Sequence, residues 1–275
     1  MYVKRKTMDV YVIITEGYTD CALAEAVLQK YMGYQQYGKK GDMPECLQKL
    51  VGVYPGELGQ LELKDTPHFF YKGEKAVMVK TAKGLTELPK KLEWILEALL
   101  STEESISAVK SVLILCDADR KTQKSNLEKI EDALEHIPEM MLERGKGRLS
   151  YNELELSYEI HQIPQNGEGA VEKLLLEMLE RIEPELAACA AAYREQIMDD
   201  AFEHMRGKWC RDKAVQEFYA DKVQLGAALA VLKPDRPVGY AVRDCIVVKD
   251  RKQELMGTKE FSTLYQRMQR WLGEM

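Results

Sequence analysis

Val10-Tyr11-Val12-Ile13-Ile14-Thr15-Glu16-Gly17 is the stretch that decides the fold. Its β-branched and aromatic residues follow one another without a charge, as in a strand buried on both faces. The run ends on a carboxylate. Immediately downstream, Ala22, Leu23, Ala26, Val27 and Tyr31 recur at helical spacing across Asp20 to Tyr31, and Gly33 closes that helix. The same pairing recurs along the chain. Ala76 to Thr81 predicts a second strand, followed by Gly84 and a helix from about Glu87 to Leu100. Ser111 to Asp117 predicts a third strand and Gln123 to His136 a third helix. Glu155 to Ile163 alternates Leu156, Tyr158 and Ile160 as a fourth strand, and Gly169 to Ile182 is helical.

Strand-helix alternation over residues 9–182 implies βα units, and hence an α/β fold with a mainly parallel sheet flanked by helices. Residues 34–74 read as an elaborated connection, partly helical near Pro44 to Val51. The later chain differs. Glu185 to His204, opened by Pro184 at the first helical position, and Lys208 to Leu232 are Ala-, Leu- and Glu-rich helices. Val238 to Val248 reads as one more strand or an extended edge, and Phe261 to Leu272 as a closing helix. The expected organisation is a core over 1–182, with an insertion at about 34–74. A helical insertion and C-terminal extension over 183–275 packs on it.

The 275 residues carry 39 Lys and Arg against 45 Asp and Glu, a net charge of −6. Hydrophobic residues make up 45% and charged residues 31%, which excludes disorder and leaves room for a large core. A general basic coat for nucleic acid is excluded too, so any nucleic-acid role needs a local basic surface or bound metal ions. The six cysteines (Cys21, Cys46, Cys116, Cys189, Cys210 and Cys245) form no Cys-x-x-Cys pair and have no histidine at zinc-finger spacing. They read as reduced thiols. The apolar stretch after Met1 to Lys6 is too short for a secretory core, and no run reaches the ~18 residues of a spanning helix. The expectation is a cytoplasmic protein without a membrane segment.

Ligands of doubly wound sheets sit at the carboxyl ends of the strands, and there the sequence places its acids. Glu16 and Asp20 follow strand one, Asp117 and Asp119 follow strand three, and Glu172 lies beyond strand four. If these strands are neighbours, the carboxylates converge. Like charges in a partly dry cleft raise each other's pKa or require a cation. With only oxygen ligands on offer, Mg²⁺ or Mn²⁺ fits better than Zn²⁺. Taken singly, each feature also has a plain structural reading: a solvated Asp-x-Asp turn, Asp20 as a helix cap, Glu172 as a helix-surface residue. Gly33 to Lys40 imitates a phosphate-binding loop, but it follows a helix and lacks the final Ser or Thr.

These residues resemble the Toprim family, whose members include topoisomerases, primases, overcoming-lysogenisation-defect nucleases and small stand-alone proteins. The glutamate after a buried first strand is Ile13-Ile14-Thr15-Glu16-Gly17, with Asp20 four residues on, as in the nuclease branch. The Asp-x-Asp motif is Leu113-Ile114-Leu115-Cys116-Asp117-Ala118-Asp119. Ile163 to Leu175, through Gly167 and Glu172, looks like the later acidic motif, and Lys222 stands about where that branch has a lysine, with Lys213 as a competitor. The resemblance implies a Toprim-like Rossmannoid core. It implies that Glu16, Asp20 and Asp119 hold one Mg²⁺ (or Mn²⁺), and Asp117 and Glu172 a second. Glu16 would serve as general acid or base, and Lys222 would stabilise charge on the phosphate. Arg120, Lys121, Lys124, Lys80 and Lys83 are candidates for local phosphate contacts. Residues 34–74 and 183–212 exceed a minimal Toprim core. No ATPase domain is legible in these residues, which leaves a place for a separate ATPase partner. No domain with a catalytic tyrosine or zinc site points to topoisomerase or primase action. The resulting expectation is a Mg-dependent nuclease acting on DNA or RNA by a two-metal mechanism. The alternative is a non-catalytic Toprim-fold module that docks nucleic acid or a partner protein.

Overall fold

The computed structural model describes residues 8–51, 67–100, 108–119, 125–165, 167–205 and 213–274, with only the backbone described within 197–218. Strand β1 (Asp9–Thr15) is central. It pairs in parallel with β4 (Lys75–Thr81) on one side and β5 (Val109–Asp117) on the other. Strand β8 (Leu154–Ile163) continues the parallel set beyond β5. The edges are antiparallel. β2 (Gln35–Gln36) and β3 (His68–Lys72) extend the β4 side, and β7 (Arg148–Tyr151) and β6 (Met140–Glu143) the β8 side. The eight-stranded order is β2-β3-β4-β1-β5-β8-β7-β6.

Helices cover both faces, so the central strands carry apolar side chains in both directions. On one face, Val12, Ile14, Ile114 and Cys116 pack with α2 (Glu45–Gln48), α3 (Leu88–Leu99) and α4 (Asn126–Glu135). Helix α3 buries Leu88, Leu92, Ile95, Leu96 and Leu99, the stripe of an amphipathic helix. On the other face, Ile13, Leu113, Leu115 and Ile163 meet α1 (Tyr18–Ala26), which runs on into a wider π turn over Val27–Tyr31, and α5 (Val171–Ile182). The later helices join this same core. They are α6 (Pro184–Met205), α7 (Lys213–Leu232), α8 (Val238–Ala241), α9 (Lys252–Met256) and α10 (Lys259–Trp271). Leu225, Leu229, Val242, Phe261, Leu264 and Met268 are all in the cluster that contains Ile13. Trp271 is buried, stands edge-on to Tyr11 at 5.3 Å and donates to Ser111 Oγ at 2.6 Å.

Two sequence expectations are corrected. Val238 to Val248 is not a strand: it forms α8 and a π turn over Val242–Ile246. Val238, Val242 and Ile246 are spaced four apart, and this helical period overrides their β-branching. The sheet also has more strands than the four read from sequence. β3 arises inside the 34–74 connection, and β6 and β7 form a short meander that returns to β8. In β6 and β7 the alternation is only four residues long. The turn into β8 is marked by Asn152, whose φ of 52° lies in the left-handed region that asparagine tolerates.

Phe261 is fully buried and packs edge-on against Tyr31 at 5.7 Å, joining α10 to the end of α1. Phe261→Ala is expected to cost about 3–5 kcal/mol and to leave one cooperative urea transition. A loss below about 1 kcal/mol, or a separate early transition, would show that the later helices are not part of the core.

Candidate functional site

Because β1, β5 and β8 are adjacent and parallel, the acids that follow them emerge at one sheet edge. Glu16 is the first residue beyond β1. Its amide donates to Leu115 O at 2.9 Å, and its carboxylate Oε2 accepts the Asp117 amide at 3.1 Å. Asp20, in the first turn of α1, reaches back so that Oδ2 accepts the Gly17 amide at 2.9 Å. It thus supplies the reciprocal half of a capping arrangement. Asp117 ends β5, and its Oδ1 accepts the Val171 amide at 2.8 Å, at the N-terminus of α5. Glu172, one residue further along α5, accepts from Lys222 of α7 at 2.7 Å through Oε1.

Asp119 is placed by backbone strain. Its φ is 51°, and it exchanges two hydrogen bonds of 2.8 Å with Gly169, whose φ of 133° is a conformation L side chains rarely adopt. Asn126 then holds it: its Nδ2 donates to Asp117 O at 2.8 Å and to Asp119 Oδ2 at 2.9 Å. Asn126 is buried at the first position of α4, after a Ser125–Glu128 capping box. Sequence reasoning missed it, although the Ser-x-x-Glu pattern at 125–128 marks the helix start.

The electrostatics follow from this placement. Asp20 and Asp117 are buried, and burial pushes them up to about 7 and about 9 respectively. Glu16 and Glu172 add to both shifts by repulsion, Asp20 adds to that of Asp117, and the Gly17 and Val171 amides oppose them. Glu16 is also raised, first by burial and then by Asp119 and Glu172, against the Asp117 amide and Lys222. Burial pulls Lys222 down, but its bond to Glu172 and the charges of Asp117 and Asp20 outweigh that and raise it.

The sequence-selected Glu16, Asp20, Asp117, Asp119, Glu172 and Lys222 are therefore one electrostatically linked group. Among the described residues, no three His, Cys, Asp or Glu side chains are set as a metal-holding group. Each of the five carboxylates turns one oxygen towards a protein donor. Two of their other oxygens stand out. Asp20 Oδ1 and Glu172 Oε2 are buried without a hydrogen-bond partner, a costly condition for a carboxylate. An all-oxygen donor set with unsatisfied buried lone pairs fits a hard divalent cation. Of the basic residues, Lys80 is buried at the end of β4, and Lys83 lies 5.8 Å from the ring of Tyr18. Arg120, Lys121 and Lys124 lie outside the described residues, as does the side chain of Lys213.

Residues 10–274 match the family described as "Protein of unknown function (DUF3226)". No curated protein is a significant match to the chain. Among solved structures, the crystal structure of a hypothetical protein from Pyrococcus horikoshii OT3 is similar over 95% of this chain and 99% of its own. The identity is 17% and the TM-score 0.47.

Raised carboxylate pKa values mean that the folded state binds protons the unfolded chain releases. The stability contributed by protonated Asp20 and Asp117 is complete below their ordinary value of 3.8 and lost as pH rises through about 7 and about 9. Buried His161, lowered to about 4 by burial and then by Arg267, acts the other way, but only as pH falls below about 6.5. In EDTA, stability is expected to fall from pH 6.5 to 9, by at most about 1.4 kcal/mol per pH unit per group. Urea titrations of wild type and Asp117→Asn check this: the variant should flatten the slope, and equal slopes would refute the assignment.

Proposed function

The chain belongs to the DUF3226 family of proteins of unknown function, and we propose that this member is a metal-dependent phosphodiesterase, a nuclease acting on DNA or RNA, built on a Toprim-like core. The observation that carries the reading is the pair of buried, unpartnered carboxylate oxygens, Asp20 Oδ1 and Glu172 Oε2, within the acidic group. The Toprim-like assignment is supported by a glutamate leaving the central parallel strand and an Asp-x-Asp leaving its neighbour. Free thiols at Cys21, Cys46, Cys116, Cys189 and Cys245 agree with a reducing, cytoplasmic setting. Among the described residues, no helix is long and apolar enough to cross a membrane.

In this reading Glu16, Asp20, Asp117, Asp119 and Glu172 would hold Mg²⁺ or Mn²⁺. Such ions would supply the positive charge that a phosphodiester displacement needs. The protein's own groups divide the remaining work. Glu16, raised by burial and by Asp119 and Glu172, retains a proton more readily than an exposed glutamate, and its bond to the Asp117 amide fixes Oε2. The carboxylate is thereby suited to hold or move a proton. Lys222, kept cationic by Glu172, brings an ammonium to the acidic edge where phosphate charge needs stabilising. The amides that Asp117 and Asp20 accept from hold those carboxylates in place before any ligand arrives.

A second reading, a non-catalytic Toprim-fold binding module, is favoured by a specific feature. The Lys222 ammonium already neutralises Glu172, as it would in a site where protein charge replaces an ion.

Labelled single-stranded DNA, double-stranded DNA and RNA, incubated with millimolar Mg²⁺ or Mn²⁺, separate the two. The nuclease reading expects cleavage abolished by EDTA and reduced at least ~100-fold in Glu16→Gln and Asp117→Asn. Binding without cleavage in every metal would favour the module. Equal cleavage by wild type and Asp117→Asn would refute the catalytic assignment.

A further inference from the structure

Beside the acidic group, on the β4 side of β1, lies a pocket of about 550 Å³ between α1, the end of β4, His68 of β3, and α8. Its position is fixed by the same backbone that presents Glu16. Thr81 pairs with Thr15, and the Gly84 amide donates to Glu16 O at 2.9 Å. Tyr18 and Thr19, directly after Glu16-Gly17, belong to its lining. Because β4 neighbours β1, the pocket and Glu16 lie at the same sheet edge. Close packing of α8 on α1 closes the back: a Cβ on Gly239 would stand 3.3 Å from that of Ala22.

The chemistry of the lining is specific. The walls are apolar and aromatic, from Ala22, Val79, Pro237, Val238, Tyr18 and Tyr240. The polar floor is built and buried. Glu25 is 3% exposed, is paired with His68 Nδ1, accepts from Cys21 Sγ at 3.2 Å and stands 3.9 Å from Arg243 Nη1. Buried Lys80 also lines it. Both tyrosines carry cations: Lys83 lies 5.8 Å from the centre of the Tyr18 ring, and the Arg243 guanidinium 4.8 Å from that of Tyr240. This is a local aromatic surface that Lys80 and Arg243 line and Lys83 flanks, with Arg243 also 3.6 Å from Asp244 Oδ1. Flat π faces receive a base, guanidinium and ammonium groups receive phosphate, and a carboxylate-imidazole floor offers acceptors and donors to a base edge.

We propose that this pocket binds one nucleotide of the strand next to the bond to be cut. Its base enters between the apolar walls, and its phosphate lies towards Arg243 and Lys83. The inference rests on the phosphodiesterase reading for its substrate, but its binding step needs no metal and no cleavage. That makes the two separable.

Calorimetric titration in EDTA with AMP, GMP, CMP and UMP tests it, together with fluorescence anisotropy of a short labelled oligonucleotide. Two variants are used: Val238→Trp, which fills the pocket from an exposed position, and Arg243→Gln. Circular dichroism confirms that each is folded. At least one mononucleotide should bind wild type and displace the oligonucleotide, and each variant should weaken both ligands at least ~10-fold. If wild type binds nucleotide but never cleaves, the pocket stands and the nuclease reading falls. Absence of mononucleotide binding at millimolar concentration overturns the pocket. Mononucleotide binding that neither displaces the oligonucleotide nor tracks its affinity in Val238→Trp overturns the strand assignment, leaving a site for free nucleotide.

Discussion

Glu16, Asp20 and Asp117 repel one another, and are repelled by Glu172, at a sheet edge where burial already disfavours the charge of the first three. Such a group persists only if the surrounding structure holds it together. Here the restraint is mostly backbone: the amides of Gly17, Asp117 and Val171 each donate to one carboxylate, and Lys222 donates to the fourth. Rigid donors on helix N-termini and a strand end do not reorganise when a ligand arrives, which is how a site keeps its geometry through a reaction.

The neighbouring loops serve that arrangement. The left-handed backbone at Asp119 and its two bonds to Gly169 tie the β5 exit to the loop ahead of α5. Asn126, from the start of α4, is buried beneath and bonded to both ends of Asp117-Ala118-Asp119. Elements from both faces of the sheet thus meet at one edge. Strain of this kind gathers where a site needs a backbone that simple packing would not choose.

The acidic balance of the molecule and its proposed substrate are reconciled by location. Acidic residues are gathered where divalent cations would sit, and an aromatic pocket lined by Lys80 and Arg243 lies at the same sheet edge. In the proposed reading, a phosphate chain approaching that edge would meet positive charge from the pocket side and from ions held by the acids. Phosphate contacts of this sort position a strand without reading its sequence.

The sequence by itself determined the parallel core and the acids at its edge. The β-branched and apolar runs at Val10 to Thr15, Ala76 to Val79 and Val112 to Cys116 suit strands covered on both faces, and carboxylates directly after such parallel strands share an edge by topology. Lys222 was legible only through family resemblance, since nothing local in α7 marks it out. Other features were settled by tertiary structure. Val238 to Val248 is β-branched enough for a strand, yet it became helical because packing against α1 and α5 favours its four-residue period. β6 and β7 are too short to declare themselves without β8 to pair with. Asn126, Glu25, His68 and Arg243 are ordinary polar residues in the sequence. The folded chain brings Asn126 against Asp117 from 9 residues away, and His68 and Arg243 against Glu25 from 43 and 218 residues away. Local pattern reports which way a side chain faces, and only the assembled sheet decides what it meets there.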